Sequence, residues 1–433
     1  MTDELAEATD HLPLPPMAQA GPDFASRTID EEADGFPVTG LQAPDVGLAL
    51  SGGGLRAMLY HLGALWRLRE LGYLGRIDAI SGVSGGAIMA AILAKAWWQL
   101  ERDGFSEATF QRLVVKPALR FSGRKIDAWV IGLGLVPGVK PAHMLAHVLR
   151  SKLLGDTRLY ELPDRPRFIF NAAHVATGVS WVFQKAYMGD ARLGIVPDPQ
   201  VKLADAVAAS ASFPPVVAPF WLELPETGLL PIESSDLFAS AVETGLSNQV
   251  LLLDGGAYDN LGIEPIEGRC EVVLASSAGG NLKVDPRRDR YRFMWPLLRR
   301  TLDMAVEVGR AQRRRALIDR ASAAFSGSGY RTRHVALWRT SNDIREASGQ
   351  RTDDWVPLPD GFVVAEGWND YLASLKTRLW PMPLIDRQRL INWGYLTSDT
   401  MLRSYVPALE GTAPPPRYPF DGARFEERPP AAS

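Results

Sequence analysis

Residues 46–86 read VGLALSGGGLRAMLYHLGALWRLRELGYLGRIDAISGVSGG. The short apolar run at 46–50 indicates a buried strand, and the glycine triplet at 52–54 ends it. Apolar residues then recur at helical spacing over 58–66, and a second strand is predicted at 77–80. A strand, a helix and a strand in this order predict two parallel strands joined by a right-handed crossover.

A second glycine-rich turn follows the second predicted strand and holds a serine. It reads Gly82-Val83-Ser84-Gly85-Gly86, and an apolar helix is predicted after it over residues 87–100. The pattern Gly-x-Ser-x-Gly between a strand and a helix is typical of a strained turn that holds a serine nucleophile above a sheet. Because both turns follow parallel strands, we expect them at the same edge of the sheet, where open α/β sheets bind their ligands. Ser84 is therefore the candidate nucleophile, and Gly82 and Gly86 let its turn pack tightly.

The triplet Gly52, Gly53 and Gly54 presents successive backbone N–H groups with no side chains in the way. Such a loop suits an anion, either a phosphate or the oxyanion of ester hydrolysis. Nucleotide binding is disfavoured, because Ala57 stands where the dinucleotide fingerprint has its third glycine and no Gly-Lys-Ser/Thr follows. A plain tight turn is the remaining alternative.

A serine hydroxyl needs a base within hydrogen-bond reach. Asp254 follows the apolar run 251–253 and precedes Gly255 and Gly256, so we expect it at the end of a buried strand, over the same edge of the sheet. His334 is the alternative, because it is the only late histidine and a triad of α/β-hydrolase type needs one there. It lies in a predicted strand instead of an exposed loop, which favours Asp254. A simple Asp-Gly-Gly turn without a catalytic role also stays open.

Two further histidines, His143 and His147, are spaced four residues apart and could face a metal ion. No Cys, Asp or Glu completes a ligand set within that helix, so surface or core histidines are favoured and no metal site is predicted. The single cysteine, Cys270, precedes an apolar run and is predicted to be a buried structural thiol, which fits a reducing compartment.

Three motifs taken together resemble those of the patatin-like phospholipase family. They are Gly52-Gly53-Gly54-Leu55-Arg56, Gly82-Val83-Ser84-Gly85-Gly86 and Asp254-Gly255-Gly256, in this order. The stretches ASASFPP at 209–215 and DGGAYDN at 254–260 are similar to ones usual in bacterial members. The resemblance covers roughly residues 45 to 280. It implies an α/β fold, a three-layer α/β/α sandwich with a mostly parallel central sheet.

The resemblance also implies a chemistry. The protein would be a lipid acyl hydrolase of the phospholipase A or lysophospholipase kind, using a Ser–Asp dyad with no catalytic histidine, no metal and no other cofactor. Ser84 would form an acyl-enzyme, and Asp254 would activate Ser84 and then the hydrolytic water. The amides of residues 52–54 would hold the oxyanion, and Arg56 matches the basic position after the glycines. Ala57 departs from the family, which often carries glycine there.

Alternatives to this function remain at this stage. One is a general carboxylesterase with a triad that includes His334, and another is a catalytically silent scaffold that uses the triplet as an anion site. Arg56 itself could be a helix-surface arginine or the partner of a nearby acid. The presence of both Ser84 and Asp254 disfavours the silent scaffold.

The 433 residues divide into segments of different character. Residues 1–40 are acidic and predicted to be a disordered tail, 45–280 form the hydrolase domain, and 285–410 form a helical C-terminal extension packed on, or continuous with, the core. Residues 214–246 look like a loop-rich insertion, a lid or wall of the site, and 411–433 form a proline-rich, irregular tail.

The segment 286–320 is rich in arginine. Its apolar residues, among them Trp295, Leu298 and Val308, recur at helical spacing and predict an amphipathic helix with a solvated basic face. Contact between the arginines and anionic lipid head groups is the alternative. A nucleic-acid partner is not expected, because no recognisable binding module is present.

Composition fits a globular protein outside the membrane. Hydrophobic residues make up 46% and charged residues 22%, and the formal net charge is −3. No signal peptide is apparent, and the nearest candidate for a membrane span, 128–136, is about half of the ~20 residues that a span requires. We expect a cytoplasmic protein with a lipid substrate and peripheral membrane contact; the oligomeric state is left open.

Overall fold

A computed structural model describes most of the chain. The described residues are 46–126, 140–215, 217–225, 228–232, 235–244, 248–279, 291–322, 331–344, 362–375, 382–406 and 414–430. The predicted acidic tail at 1–40 and the apolar run at 128–136 lie outside these ranges. Residues 414–430 of the proline-rich tail contain no helix or strand, yet they bury Phe425 in the core.

One sheet holds ten strands within the described residues. Its order is β10-β9-β1-β2-β3-β4-β5-β6, and β8 pairs with both β3 and β7. The neighbours from β10 to β3 are parallel, and the remaining pairs are antiparallel. The strands are β1 (Val46–Leu50), β2 (Ala79–Val83), β3 (Arg167–His174), β4 (Ser180–Phe183), β5 (Tyr187–Asp190), β6 (Gly194–Pro197), β7 (Phe220–Glu223), β8 (Gln249–Asp254), β9 (Val272–Ser277) and β10 (His334–Arg339).

Helices connect and cover these strands. Short helical turns also occur at Leu74–Arg76, Gln111–Val115, Arg150–Leu154 and Leu159–Glu161. The α-helices of the described residues are α1 (Gly54–Glu70), α2 (Gly85–Arg102), α3 (Glu107–Phe110), α4 (Lys116–Ser122), α5 (Pro141–Leu149), α6 (Leu203–Ser210), α7 (Phe238–Thr244), α8 (Gly256–Asp259), α9 (Met294–Ser322), α10 (Trp368–Ser374) and α11 (Leu384–Tyr405).

The two faces of the sheet bury different cores, because side chains alternate along each strand. Leu48 and Leu50 of β1 join the main core, which α1, α2 and α11 cover. Ala49 joins a smaller core on the opposite face, together with residues 261–270 and Leu317 of α9. Helices therefore lie on both faces of a sheet with a parallel centre, which confirms the predicted α/β sandwich. Cys270 is buried in the smaller core, as predicted.

The C-terminal helix α11 packs directly on α1. A Cβ atom at Gly63 would lie 1.9 Å from the carbonyl oxygen of Ile391, so the two helix backbones touch. The guanidinium of Arg67 forms a fully buried ion pair with Asp399, with 2.7 Å between Nη2 and Oδ1. The extension beyond the parallel core is therefore part of the same packed structure.

Several sequence predictions need correction in detail. The second strand begins at Ala79 and runs to Val83, two to three residues later than predicted. The segment 214–246 was predicted to be loop-rich, but it contains β7 and α7, and β7 pairs with β8. No helix of the described residues has the length and apolar character to span a membrane.

The predicted basic solvent face of the arginine-rich helix is wrong for its first half, although in the last turns Arg315 and Arg320 are exposed and Leu317 is buried. In α9, Trp295 and Val308 are exposed by 67% and 55%, while Arg310 is buried and ion-paired with Glu307. The helix is amphipathic, but over its first four turns the apolar side faces solvent.

Candidate active site

Ser84 stands at the junction of β2 and α2. It directly follows Val83, the last residue of β2, and its φ and ψ angles are 53° and −116°. A non-glycine residue with positive φ is strained, and such strain is typical of serine nucleophile turns. The Ser84 amide donates a hydrogen bond to the Ser210 hydroxyl at 2.9 Å, and the first turn of α2 places its unpaired amides beside the serine. The turn therefore projects one partly exposed hydroxyl from a buried frame.

The two glycine loops touch each other at this point. A Cβ atom at Gly86 would lie 2.0 Å from the carbonyl oxygen of Leu50, and one at Gly85 would lie 2.1 Å from that of Gly54. Contacts this short are impossible for a side chain. The glycines of the serine turn are thus required by the close approach of the first loop, which brings the triplet next to Ser84.

Asp254 reaches Ser84 by an arrangement that the sequence did not reveal. Along one side of β3, β2 pairs in parallel with residues 167–171 and ends at Val83. The other side of β3 is taken by β4. Because β8 pairs antiparallel with residues 172–174, it continues on β3 where β2 stops. The carboxyl ends of β2 and β8 therefore meet head to head, with Asp254 opposite Ala172.

The Asp254 carboxyl group is buried, with 2% of the residue exposed. It accepts a hydrogen bond from the amide of Gly256, at 2.8 Å, and interacts with the side chain of Ser84. Burial raises the pKa of Asp254 from 3.8 to about 6, although the Gly256 amide and the Ser84 side chain oppose the rise. A carboxylate with such a pKa is charged at neutral pH and still basic enough to take a proton.

The first glycine loop offers fewer free donors than its three glycines suggest. The amide of Gly52 donates to the carbonyl oxygen of Asn260 at 3.0 Å, so it is already used. Within the described part of the chain, the amides of Gly53 and Gly54 have no acceptor. Gly53 and Gly54 have φ angles of 142° and 61°, which glycine adopts without strain. The predicted set of oxyanion donors therefore loses Gly52, and Gly53 and Gly54 are the two available ones.

Comparison with known proteins decides the family. Residues 48–266 match the model of the patatin-like phospholipase family, which is half of the chain. The chain belongs to the patatin-like phospholipase family. The match contains the two glycine loops, Ser84 and Asp254.

Two of the solved structures that this chain resembles are a human and a Legionella protein. Human GIVD cytosolic phospholipase A2, in complex with methyl gamma-linolenyl fluorophosphonate and terbium chloride, is 16% identical, with 83% of this chain and 58% of that chain covered and a TM-score of 0.42. VipD from Legionella pneumophila is 13% identical, with 84% and 67% covered and a TM-score of 0.34. This chain spans 46% to 58% of the length of the human structures. No curated protein sequence matches the chain.

The arginine of the family motif, Arg56, is a structural clamp in this patatin-like protein. Its guanidinium donates to the carbonyl oxygens of Ala278 at 2.8 and 3.2 Å, of Ala373 at 2.7 Å and of Leu375 at 3.0 Å. Burial, and secondly the charge of Arg310, lower the pKa of Arg56 to about 9. It is not a helix-surface arginine, and among the described residues it forms no ion pair with an acid. It ties the loop after β9 and the end of α10 to the glycine triplet.

The histidines do not complete a triad with Ser84. His334 is the first residue of β10 and pairs with Val272, the first residue of β9, so it lies at the opposite, amino edge of the sheet. His61 is buried beneath the triplet and bonded to the Ser51 carbonyl at 2.9 Å and the Ser276 hydroxyl at 2.7 Å. Burial lowers the pKa of His61 to about 4, so its neutral ring supports the loop.

Two more of the described histidines, His174 and His143, have other partners. His174 forms a buried pair with Asp190, with 2.6 Å between Nδ1 and Oδ2, and His143 stacks on Phe220 with ring centroids 4.5 Å apart. Within the described residues, no group of three or more His, Cys, Asp or Glu side chains could hold a metal ion.

One site residue was missed as such by sequence reasoning. The side-chain oxygen of Asn260 would lie 2.2 Å from a Cβ atom at Gly52 and 2.6 Å from one at Gly256. Asn260 therefore lies between the first glycine loop and the Asp-Gly-Gly turn, and its own carbonyl binds the Gly52 amide. The sequence feature that could have identified Asn260 is its position in the stretch 254–260, which was already part of the family resemblance.

Proposed function

We propose that this protein hydrolyses carboxylic ester bonds of lipids with a dyad of Ser84 and Asp254. Membership of the patatin-like phospholipase family supports a lipid ester hydrolase. The observation that carries the finer proposal is the interaction of the Ser84 side chain with the buried Asp254 carboxylate, whose pKa burial raises to about 6. A base of that strength beside a serine hydroxyl is what acyl transfer at neutral pH needs.

The first half of the reaction forms an acyl-enzyme. Asp254 takes the proton of the Ser84 hydroxyl as the serine oxygen attacks the ester carbonyl carbon. The amides of Gly53 and Gly54 donate to the oxyanion that develops, with the amide dipoles of α2 pointing at the same place. Protonated Asp254 then gives its proton to the leaving alkoxide, the C–O bond breaks, and the alcohol portion of the lipid departs.

The second half releases the fatty acid. Asp254, again a carboxylate, takes a proton from a water molecule, which attacks the acyl carbon in the same oxyanion site. The Ser84 oxygen leaves and recovers the proton from Asp254, so serine and aspartate return to their starting states. This sequence uses one base twice and needs no histidine.

Phospholipase A and lysophospholipase activities are the specific forms of this proposal, because the family acts on phospholipids. Head group, acyl position and chain length are to be found by experiment. A product scan with a mixture of natural phospholipids, comparing the wild type with Ser84→Ala, identifies them. We expect free fatty acid and lysophospholipid with the wild type only.

A fluorophosphonate probe tests the dyad itself. We expect it to label the wild type and His334→Ala but not Ser84→Ala, and we expect Asp254→Asn to lose ester hydrolysis. Because His334 lies at the far edge of the sheet, His334→Ala is a matched control and keeps full activity. If His334→Ala abolished hydrolysis while Asp254→Asn kept it, the dyad would be wrong. A folded wild-type protein that the probe does not label would point to a silent scaffold instead.

A further inference from the structure

Helix α9 crosses the edge of the sheet that carries the candidate site. The guanidinium carbon of Arg299 lies 5.3 Å from the ring centroid of Phe213, and that of Arg313 lies 4.7 Å from the ring of Tyr258. Phe213 directly follows Ser212, whose carbonyl accepts the Asp254 amide, and Tyr258 lies four residues after Asp254. The two contacts are 14 residues apart on the helix, or about 21 Å along its axis. Arg299 and Arg313, on the side of α9 that faces the sheet, thus hold the helix beside the site at two points.

The outer face of α9 exposes an apolar stripe. Its members are spaced by three, one, six and four residues, which at about 100° per residue keeps them within about a third of the helix circumference over about four turns, and the exposed Thr301 lies between Leu298 and Met304. Their exposed fractions are 64% for Met294, 45% for Leu297, 52% for Leu298, 49% for Met304 and 55% for Val308. Phe293 and Trp295 extend the stripe at its beginning, with exposed fractions of 71% and 67%. Contiguous apolar surface of this kind marks a contact with another apolar partner.

Charge indicates which partner. At the Trp295 end, Arg292 is exposed and Arg300 is half-buried, and the two acids of the stretch, Asp303 and Glu307, are ion-paired with Arg299 and Arg310, so the stretch carries an excess of positive charge. An apolar stripe with Trp and Phe, bordered by arginines, is the pattern of helices that lie in the surface of an anionic bilayer. A second copy of the chain would also bury the stripe, but it gives no reason for arginines at its border.

We propose that the outer face of α9, from Phe293 to Val308, is the surface by which this protein binds anionic membranes. The docked helix would lie in the plane of the bilayer with its apolar side chains about 5–10 Å deep, which holds the neighbouring Ser84 site against the lipid head groups. This inference rests on the proposed function, since it gives a lipid hydrolase its contact with the aggregated substrate.

Vesicle flotation with the full-length protein tests the surface. Vesicles of equal parts phosphatidylcholine and phosphatidylglycerol are compared with phosphatidylcholine alone, at low and high salt, for the wild type and Trp295→Ser/Leu298→Ser. Trp98→Ser/Leu384→Ser is the matched control, because Trp98 and Leu384 are exposed by 51% and 53% but lie on α2 and α11. Turnover of a soluble short-chain p-nitrophenyl ester is measured in parallel.

We expect the wild type and the control to bind the anionic vesicles, and the α9 variant to bind about tenfold more weakly or worse, equivalent to about 1.4 kcal/mol. All three should hydrolyse the soluble ester equally, and binding should weaken at high salt. Unchanged vesicle binding of the α9 variant would overturn the proposal. The proposal would also be overturned if the wild-type protein did not bind vesicles but formed a dimer that the α9 variant does not form. A protein that binds vesicles through α9 but cleaves no ester refutes the proposed function and leaves this surface standing.

Discussion

Replacing Asp254 by asparagine should stabilise the protein while it removes the proposed base. Asparagine has the same shape, and its oxygen can still accept the Gly256 amide while its NH2 donates to Ser84. What it lacks is the charge that the wild type must bury. The pKa of Asp254 rises from 3.8 to about 6 through burial, a shift of about two pKa units. One unit corresponds to 1.36 kcal/mol, so the buried carboxylate costs about 3 kcal/mol once it is charged.

The sign of the effect fixes its dependence on pH. Because the folded pKa lies above the unfolded one, the folded protein binds the proton more tightly between about pH 4 and pH 6. The contribution of the Asp254 carboxyl to the free energy of unfolding is therefore fully present at and below about pH 4, and it is lost as the pH rises through about 6. Wild type and Asp254→Asn should be equally stable at about pH 4, and the variant should be more stable by about 2–3 kcal/mol at about pH 8.

Urea denaturation over this pH range measures the difference in the free energy of unfolding. The kcat/KM of the wild type for a soluble ester should rise with pH along a limb near pH 6, since only the carboxylate can accept the Ser84 proton. Asp156→Asn is the control. The Asp156 carboxyl is exposed, and its hydrogen bond to Lys202 lowers its pKa, so its removal should give no gain at high pH. A stability difference for Asp254→Asn that does not change with pH, or one in favour of the wild type at high pH, would refute the argument.

Two further substitutions test the frame around the site. Arg56→Met should lower the free energy of unfolding by about 3 kcal/mol or more, because it leaves the buried carbonyls of Ala278 and Ala373 without a donor. Arg56→Lys should recover only part of this loss, because an ammonium group cannot reproduce the planar fork of the guanidinium. Urea denaturation measures both, and a cost below about 1 kcal/mol would contradict the clamp. Gly86→Ala should prevent native folding, because its Cβ atom would lie 2.0 Å from the Leu50 carbonyl oxygen. Gly309→Ala is the control, because a Cβ atom at this position in α9 meets open space. This variant should raise the free energy of unfolding by up to about 1 kcal/mol. Similar thermal melts for these two alanine variants would contradict the packing argument.

Local patterns were enough to predict the centre of the fold. The apolar runs of β1 and β2, the helical spacing between them and the two glycine turns predicted a parallel unit, and the register Gly47 to Ala79 confirms it. The hairpin between β3 and β4 also turns locally, at Thr177-Gly178, where Gly178 has the positive φ that such a turn favours. These features depend on residues close in sequence, so the sequence carries them directly.

Features that depend on distant pairing were not predictable in the same way. The amphipathic pattern of α9 was recognised, but periodicity does not say which side of a helix meets the core. Here contacts to Phe213, Tyr258 and Gly279 draw the arginines inward, and the apolar residues remain outside. Likewise, three glycines suggested three free amides, but only the fold shows that Asn260 occupies the amide of Gly52.

The length of β3 explains how residues 170 positions apart can act together. Five of its eight residues, 167–171, pair with β2, and the last three, 172–174, pair with β8 from the opposite direction. A strand ending at Asn171 would align Ser84 but leave β8 paired with β7 alone, without its place beside β2 on β3. The antiparallel entry of β8 also matters, because a parallel strand in that position would present its amino end, Gln249, to Ser84 in place of Asp254. The proximity of serine and carboxylate thus follows from one strand that serves two partners end to end, while the glycine loops provide only the room around them.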